Sequence, residues 1–402
     1  MQERRDFLKK SAKITGAFMG LGLLFNTKTF AKENSNPILD NTQNFIMSAK
    51  NGERIPTKAY AAHSKEWKFK PFSFTRHALG QNDILIEILY AGICHSDLHS
   101  VSGDHHGTTY PIVPGHEIVG RVVAVGQKVS KFKIGDYAGV GCMVNSCGEC
   151  DACKRSEEQF CERGKSIFTY NSVDYFHGNE NTYGGYSNNI VVSENFGIKV
   201  AKDADISKIA PLLCAGITTY SPIKFSKVKK GDKVAVAGLG GLGHMALKYM
   251  IALGAEVTCF DIVPSKKKAV LKLGAKRFID VNSDDFKKIK NEFDFIISTI
   301  PYEYDINAYH KMLKLNGEMA IVGLPVKANI NGVDMIWNFR KKIYSSLIGG
   351  IKETQEMLDY SIKNNIYPEV EIIPITRLDE AYQNVAKGRV EFRYVIDMST
   401  LS

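Results

Sequence analysis

The stretch CGECDACKRSEEQFC places four cysteines, Cys147, Cys150, Cys153 and Cys161, within fifteen residues. Two-residue gaps let successive sulfurs converge from one tight loop, and the longer gap lets the fourth close a tetrahedron. Four thiolates make a closed, soft site suited to zinc, with no open position for a reacting molecule, so the expected role is structural. An iron–sulfur cluster and paired disulfides draw on the same residue type and are the competing readings. Three more stretches carry reactive side chains: Cys94 in GICHSDLHS, His116 in PGHEIVG and Cys214 in PLLCAGITTYSP. Singly, none decides anything. A lone buried cysteine is usually a small hydrophobe, the reading taken for Cys142 and Cys259, and a lone histidine is usually only hydrogen-bonded. A separate signal is VAVAGLGGLGHMALKY, with Gly238, Gly240 and Gly243 in G-x-G-x-x-G order. It follows a strand-like run and opens a helical one, the context in which backbone N–H groups receive a dinucleotide pyrophosphate.

The elements that must position these residues divide the chain in two. From about Phe45 to Ile198, short apolar runs alternate with Gly, Asn and Asp. Residues 84–89, 118–125 and 189–192 read as strands, so this half is β-rich. At Lys233 the rhythm changes to strands at 234–237, 255–260, 293–298, 319–322 and 343–348, with helical stretches between several of them. Strands alternating with helices imply a parallel, doubly wound sheet. The tail from Ile351 opens as a helix and ends in the strand-like 392–396. The expected fold class is α/β, with a catalytic part at 45–216 and 351–402 and a nucleotide-binding part at 217–350. Residues 32–44 are polar and read as a linker.

Taken together and in this order, the motifs resemble the zinc-dependent medium-chain alcohol dehydrogenases, nearest to their cinnamyl alcohol dehydrogenase-like branch. The resemblance runs from about Phe45 to Met398. It implies a GroES-like catalytic domain and a Rossmann nucleotide-binding domain. It also implies that Cys94, His116 and Cys214 hold a catalytic zinc whose open fourth position polarises an alcohol or aldehyde oxygen. Glu117 stands beside the metal in this family as a transient ligand; its plainer reading is a buried carboxylate tied to a basic side chain. CHSDLH resembles the family's proton path, with Ser96 accepting the alcohol proton and His99 passing it outward, while Asp97 orients a neighbour. His95 matches a position that meets the pyrophosphate, and Thr218 one that packs by the nicotinamide. Trp67, Tyr110 and Phe168 are candidates for the substrate cleft.

Asp261 ends the second strand of this half, eighteen residues past Gly243. A carboxylate there grips the ribose hydroxyls and repels a 2′-phosphate, which favours NAD over NADP. The cinnamyl branch commonly uses NADP, so this is a departure from it. Lys266, Lys267 and Lys268 are close enough to reach a phosphate, or else form a solvated face. The activity implied is hydride transfer between a primary alcohol or aldehyde and NAD(P). The alternative is an exported zinc-binding protein of the same fold that does not turn over. A homodimer is the expected assembly.

The net charge is +9, but six basic and two acidic residues lie in the first 31 positions. The remainder has no concentrated basic stripe, which argues against a nucleic-acid partner. That N-terminal segment begins with RRDFLK, continues through an apolar run at 14–25 and reaches a small-residue cleavage site at Thr29-Phe30-Ala31. Twelve helical residues span about 18 Å against a bilayer core of about 30 Å, so no stable membrane span is expected. The pattern resembles a twin-arginine signal, which implies the twin-arginine export machinery as a partner and a periplasmic destination; the alternative is the cytoplasm. That machinery carries folded cargo, which would let metals and nucleotide load before export.

Overall fold

The computed structural model describes residues 37–104, 107–325, 327–337 and 340–401. The expected export signal at 1–31 lies outside them. The linker expected at 32–44 is corrected over its second part, because Pro37–Lys50 is an α-helix. Its composition is polar, yet Phe45 and Ala49, one turn apart, are buried in a small cluster with Ile55, Leu85, Val123 and Val191. Thr42 Oγ1 also donates to Glu87 Oε1 at 2.7 Å. Proline suits a first turn, where its missing N–H would be unpaired anyway. One short apolar stripe therefore makes a helix of what reads as a spacer.

The β-rich half is built on a seven-stranded sheet. Strand Asp83–Gly92 is central and pairs antiparallel with Ile118–Val125, Asn189–Ser193 and Arg393–Asp397. The last strand of the chain thus returns to the first half, carrying Arg393 with it. The second half is a six-stranded parallel sheet. Its spatial order is 277–280, 256–261, 233–237, 293–298, 313–321, 342–345. In chain order that is 3-2-1-4-5-6, the doubly wound arrangement. Strand Lys233–Ala237 is buried at all but its first residue, as a strand covered by helices on both faces must be, hence its unbroken apolar run.

Strand Arg277–Asp280 is the one member of this sheet absent from the sequence expectation. It is an edge strand of four partly exposed residues with a charge at each end, so neither alternation nor an apolar run marks it. The expected boundary at 216/217 lies within the continuous helix Ala215–Phe225, and the one at 350/351 coincides with the start of helix Ile351–Lys363. Both helices pack into one apolar cluster that also holds Val119, Leu213 and Tyr249. Among the described residues, no helix is long and apolar enough to cross a membrane.

Candidate active site

Cys94 caps helix His95–Ser102 at its N-terminus, and its N–H donates to Asp97 Oδ2 at 2.8 Å. Cys214 sits at the N-terminus of helix Ala215–Phe225, directly after the 3₁₀ turn Ala210–Leu213. His116 and Glu117 lie in the segment that enters strand Ile118–Val125. These four buried residues, up to 120 positions apart in the chain, each bring one ligand atom to within 4.8 Å of the others. Cys94 Sγ is 3.9 Å from Cys214 Sγ, and His116 Nε2 is 3.2 Å from Cys214 Sγ.

The donor set fits zinc. Tetrahedral bonds of about 2.3 Å to sulfur and 2.0 Å to nitrogen separate ligand atoms by about 3.5–3.8 Å, within about 0.3 Å of the 3.9 and 3.2 Å seen. A disulfide would need sulfurs about 2 Å apart, and all eight cysteines are free. Asp97 is buried and organises the group. Its Oδ1 takes Gly115 N–H at 3.1 Å and meets His116 Nδ1 at 3.1 Å. An acceptor on Nδ1 fixes the tautomer and turns Nε2 toward the sulfurs. The two thiols titrate apart. A hydrogen bond with Cys214 holds Cys94 well below the usual thiol range, whereas sharing with Cys142 and Cys94 pushes Cys214 well above it.

Glu117 completes the group from behind. One oxygen pairs with Arg393, and Oε2 is buried without a hydrogen bond. Any side chain at Gly92 would collide with that oxygen, so glycine there makes room for it. Burial raises the Glu117 carboxyl to about 7, a rise the guanidinium only partly offsets. Arg393 was not among the expected site residues. The signal for it was a lone arginine inside the apolar run FRYVI, and the structure places it 276 residues from its carboxylate partner.

Cys147, Cys150, Cys153 and Cys161 form a second group within the same 4.8 Å limit. Cys147 Sγ lies 3.8 Å from Cys153 Sγ, and Cys150 Sγ 4.0 Å from Cys161 Sγ. These are again tetrahedral-ligand separations rather than disulfide ones. Backbone N–H groups of Glu149 and Cys150 both point at Cys147 Sγ, at 3.4 Å each, which suits a thiolate. The competing disulfide reading is excluded by the distances.

Of the residues expected to meet the nucleotide, Gly238 and Asp261 stand at the C-terminal ends of parallel strands, where open α/β sheets take their ligands. Gly238 follows strand Lys233–Ala237 with φ +89°, a conformation glycine adopts freely. A side chain at Gly243 would collide with the Gly238 carbonyl, whereas one at Gly240 would meet nothing within 4 Å. The turn is closed on the inside and open on the outside, as a cradle for a pyrophosphate must be. Asp261 ends strand Glu256–Asp261, and its Oδ2 accepts from Leu239 N–H at 2.8 Å and Lys266 Nζ at 3.1 Å. Thr218 Oγ1 is buried and has no hydrogen-bond partner, one turn along the helix from Cys214. An orphaned buried hydroxyl one helical turn from Cys214 fits a site that a cofactor completes.

On helix His95–Ser102, Ser96 Oγ lies 3.7 Å from Cys94 Sγ, and His99 Nδ1 is 3.0 Å from Asp104 Oδ2. His95 Nε2 faces the Tyr302 hydroxyl at 3.4 Å, across from the parallel sheet. Tyr302 is a second residue the sequence did not flag. Trp67 Nε1 donates to Ser102 Oγ at 2.9 Å, and the Tyr110 hydroxyl bonds the Val101 carbonyl, so both brace this helix. Phe168 is 41% exposed and pairs in a small ribbon beyond the cysteine loop.

Known proteins with this arrangement identify it. Residues 80–202 match the alcohol dehydrogenase GroES-like domain and residues 241–363 the zinc-binding dehydrogenase domain. A probable formaldehyde dehydrogenase of Bacillus subtilis is 46% identical over 341 residues, spanning 85% of this chain and 97% of that protein. Cinnamyl alcohol dehydrogenase 2 of Rauvolfia serpentina is 44% identical over 348 residues, spanning 85% and 96%. The crystal structure of CAD from Helicobacter pylori, complexed with NADP(H), is 55% identical with a TM-score of 0.83, covering 87% of this chain and 100% of that one. The chain belongs to the medium-chain, zinc-type alcohol dehydrogenase family and is an oxidoreductase acting on CH–OH donors.

Proposed function

We propose that the enzyme interconverts primary alcohols and aldehydes with two zinc ions per chain, one catalytic at Cys94, His116 and Cys214, one structural at Cys147, Cys150, Cys153 and Cys161. The convergence of two sulfurs and one imidazole at 3.2–3.9 Å carries this reading. Zinc held there supplies Lewis-acid polarisation of the alcohol or aldehyde oxygen. The side chains do the rest. Asp97 holds the His116 ring, and the unpartnered Glu117 Oε2 stands ready as a further oxygen donor. Ser96 takes the alcohol proton and His99 hands it on. The His99 ring is 19% exposed and Asp104 beyond it 50%, so the path runs from the buried metal group to solvent. Thr218 offers its hydroxyl to the nicotinamide, and His95 its ring to the pyrophosphate.

NAD is the preferred coenzyme in this reading, because the Asp261 carboxylate stands where a 2′-phosphate would have to enter. The H. pylori neighbour was solved with NADP(H), and Lys266 beside Asp261 is the residue through which this chain would tolerate it. Asp261→Ser should shift the NADP/NAD ratio of kcat/KM upward by about ten- to a hundredfold, the effect of removing a repulsion worth about 1.4–2.8 kcal/mol. An unchanged ratio would take Asp261 out of coenzyme selection.

Export in folded form accounts for the N-terminal pattern, since zinc and nucleotide then load before transport and metal-bound thiolates escape oxidation. The exposed Val333, Ile336 and Trp337 lie on one short helix beside the edge strand Lys342–Ser345 and suit a homodimer contact. Enzyme recovered from a periplasmic extract should run as a dimer carrying about two zincs per chain and a copurifying nicotinamide nucleotide. Zinc without any nucleotide, or activity confined to the cytoplasm, contradicts the exported-enzyme picture.

A further inference from the structure

Away from both cysteine groups, His77, Asp83 and His177 bring one ligand atom each to within 4.8 Å of the others. They come from three separate segments. His77 follows strand Phe69–Arg76, Asp83 opens strand Asp83–Gly92, and His177 sits in the turn between Val173–Asp174 and Glu180–Asn181. The two imidazoles lie face to face, with centroids 3.6 Å apart and planes within 2°. Hydride transfer uses none of the three.

The hydrogen bonds sort the ring nitrogens. His177 Nδ1 is 2.7 Å from Asp174 Oδ2, and His77 Nδ1 is 2.9 Å from the Ala78 carbonyl oxygen. Both neighbours only accept, so each Nδ1 carries a proton and each Nε2 of the neutral ring keeps its lone pair. Metal-binding histidines are held in this way, with the second nitrogen donating to a carboxylate or a backbone carbonyl. Asp83 is 7% exposed, and its Oδ2 lies 3.9 Å from His77 Nδ1. Gly80 N–H occupies its Oδ2 at 2.9 Å, which leaves Oδ1 as the open donor. Asp83 and Asp174 set two carboxylates against the rings, complementary to a cation. A cavity of about 460 Å³, lined by His77, Asp174, His177 and Asn179, opens onto the two rings, with Asp83 behind them outside its lining.

We propose that His77, Asp83 and His177 form a third metal site, for a divalent transition ion that favours imidazole, and that it staples the 173–181 hairpin to the head of the central strand. Two imidazoles and a carboxylate suit zinc, nickel or copper(II) rather than magnesium or calcium. The rings are stacked face to face, so binding a shared ion turns them apart, a rotation that side chains at a turn and a strand end can make.

Nickel is the probe, because the other two sites are already zinc-filled. Tag-free, zinc-loaded full-length enzyme is dialysed against micromolar Ni²⁺ at pH 7.5, and both metals are counted by mass spectrometry. The expected result is about one nickel per chain with zinc unchanged, together with a rise in Tm. His77→Gln and His177→Gln should each weaken nickel binding at least about tenfold and abolish the Tm rise, with turnover and nickel-free Tm unaltered. Nickel uptake by both variants equal to that of wild type, uptake absent at micromolar concentration, or uptake matched by lost zinc would overturn the proposal. The conservative size of glutamine and the turn position of His177 keep that variant folded, and its nickel-free Tm verifies this.

Discussion

Cys214→Ala should lower kcat by at least about a thousandfold and leave one zinc per chain instead of two. The sulfur removed is the hub of the cluster, 3.9 Å from Cys94 Sγ and 3.2 Å from His116 Nε2. Without it, Cys94 and His116 remain with Glu117, tied to Arg393, as a further donor, too weak a set to retain zinc against solvent, and the polarisation worth several kcal/mol goes with it. At about 1.4 kcal/mol per tenfold, a loss of about 4 kcal/mol gives the stated factor. The cysteine loop is a separate group, so its zinc and the global fold should persist. Metal analysis alongside initial rates reads both halves, and a variant that keeps two zincs or a tenth of the activity would remove Cys214 from the ligand set. His99→Ala makes an informative contrast in the same assay. It leaves the metal in place and should slow alcohol oxidation more at low pH than at high pH, where hydroxide accepts the proton without a relay. An equal loss at all pH values would mean that His99 is not on the proton path.

What the sequence disclosed follows the distance over which each feature is encoded. The cysteine loop is written within fifteen residues, and its geometry follows from spacing alone. The glycine turn is equally local: strand, turn and helix are contiguous, and the steric need at Gly243 involves a carbonyl five residues away. Buried parallel strands such as Lys233–Ala237 declare themselves by an unbroken apolar run. The catalytic group is different. Cys94, His116 and Cys214 share no spacing that fixes a metal site, and only their order among other motifs suggested one. Arg393 and Tyr302 lie further out still, because an ion pair across 276 residues and a ring contact across 207 leave no periodic trace. Helix Pro37–Lys50 escaped for a different reason. Its composition is that of a spacer, and the decision rests on two buried side chains, Phe45 and Ala49, that find a pocket on the β-rich half.

Arg393→Met should destabilise the protein by up to about 3–5 kcal/mol on the alkaline side of neutrality, where Glu117 would have to ionise unpaired, the usual result of stranding one partner of a buried ion pair. Glu117 is fully buried and Arg393 nearly so, and in the native protein the guanidinium is held firmly charged by that carboxylate. Desolvation already raises Glu117 to about 7 with the arginine present, and removing the arginine raises it further. A carboxyl whose folded value exceeds its unfolded one, about 4.3, keeps a proton that the unfolded chain gives up. Its contribution to stability is therefore full below about pH 4 and lost as pH rises through the folded value. The variant's deficit against wild type should accordingly widen from pH 5 to pH 8 in denaturant titrations. Pairing the change with Glu117→Gln removes the stranded charge, so the double variant should regain much of the loss; equal stability of single and double variants would assign the effect to packing instead. Arg393 also lies directly beneath the glycine turn, where a side chain at Gly241 would come within 2.6 Å of its Cδ. The same substitution should thus raise KM for the nucleotide, tying the metal group and the cofactor cradle to one buried guanidinium. A KM unchanged in a variant that remains folded would separate the two sites again.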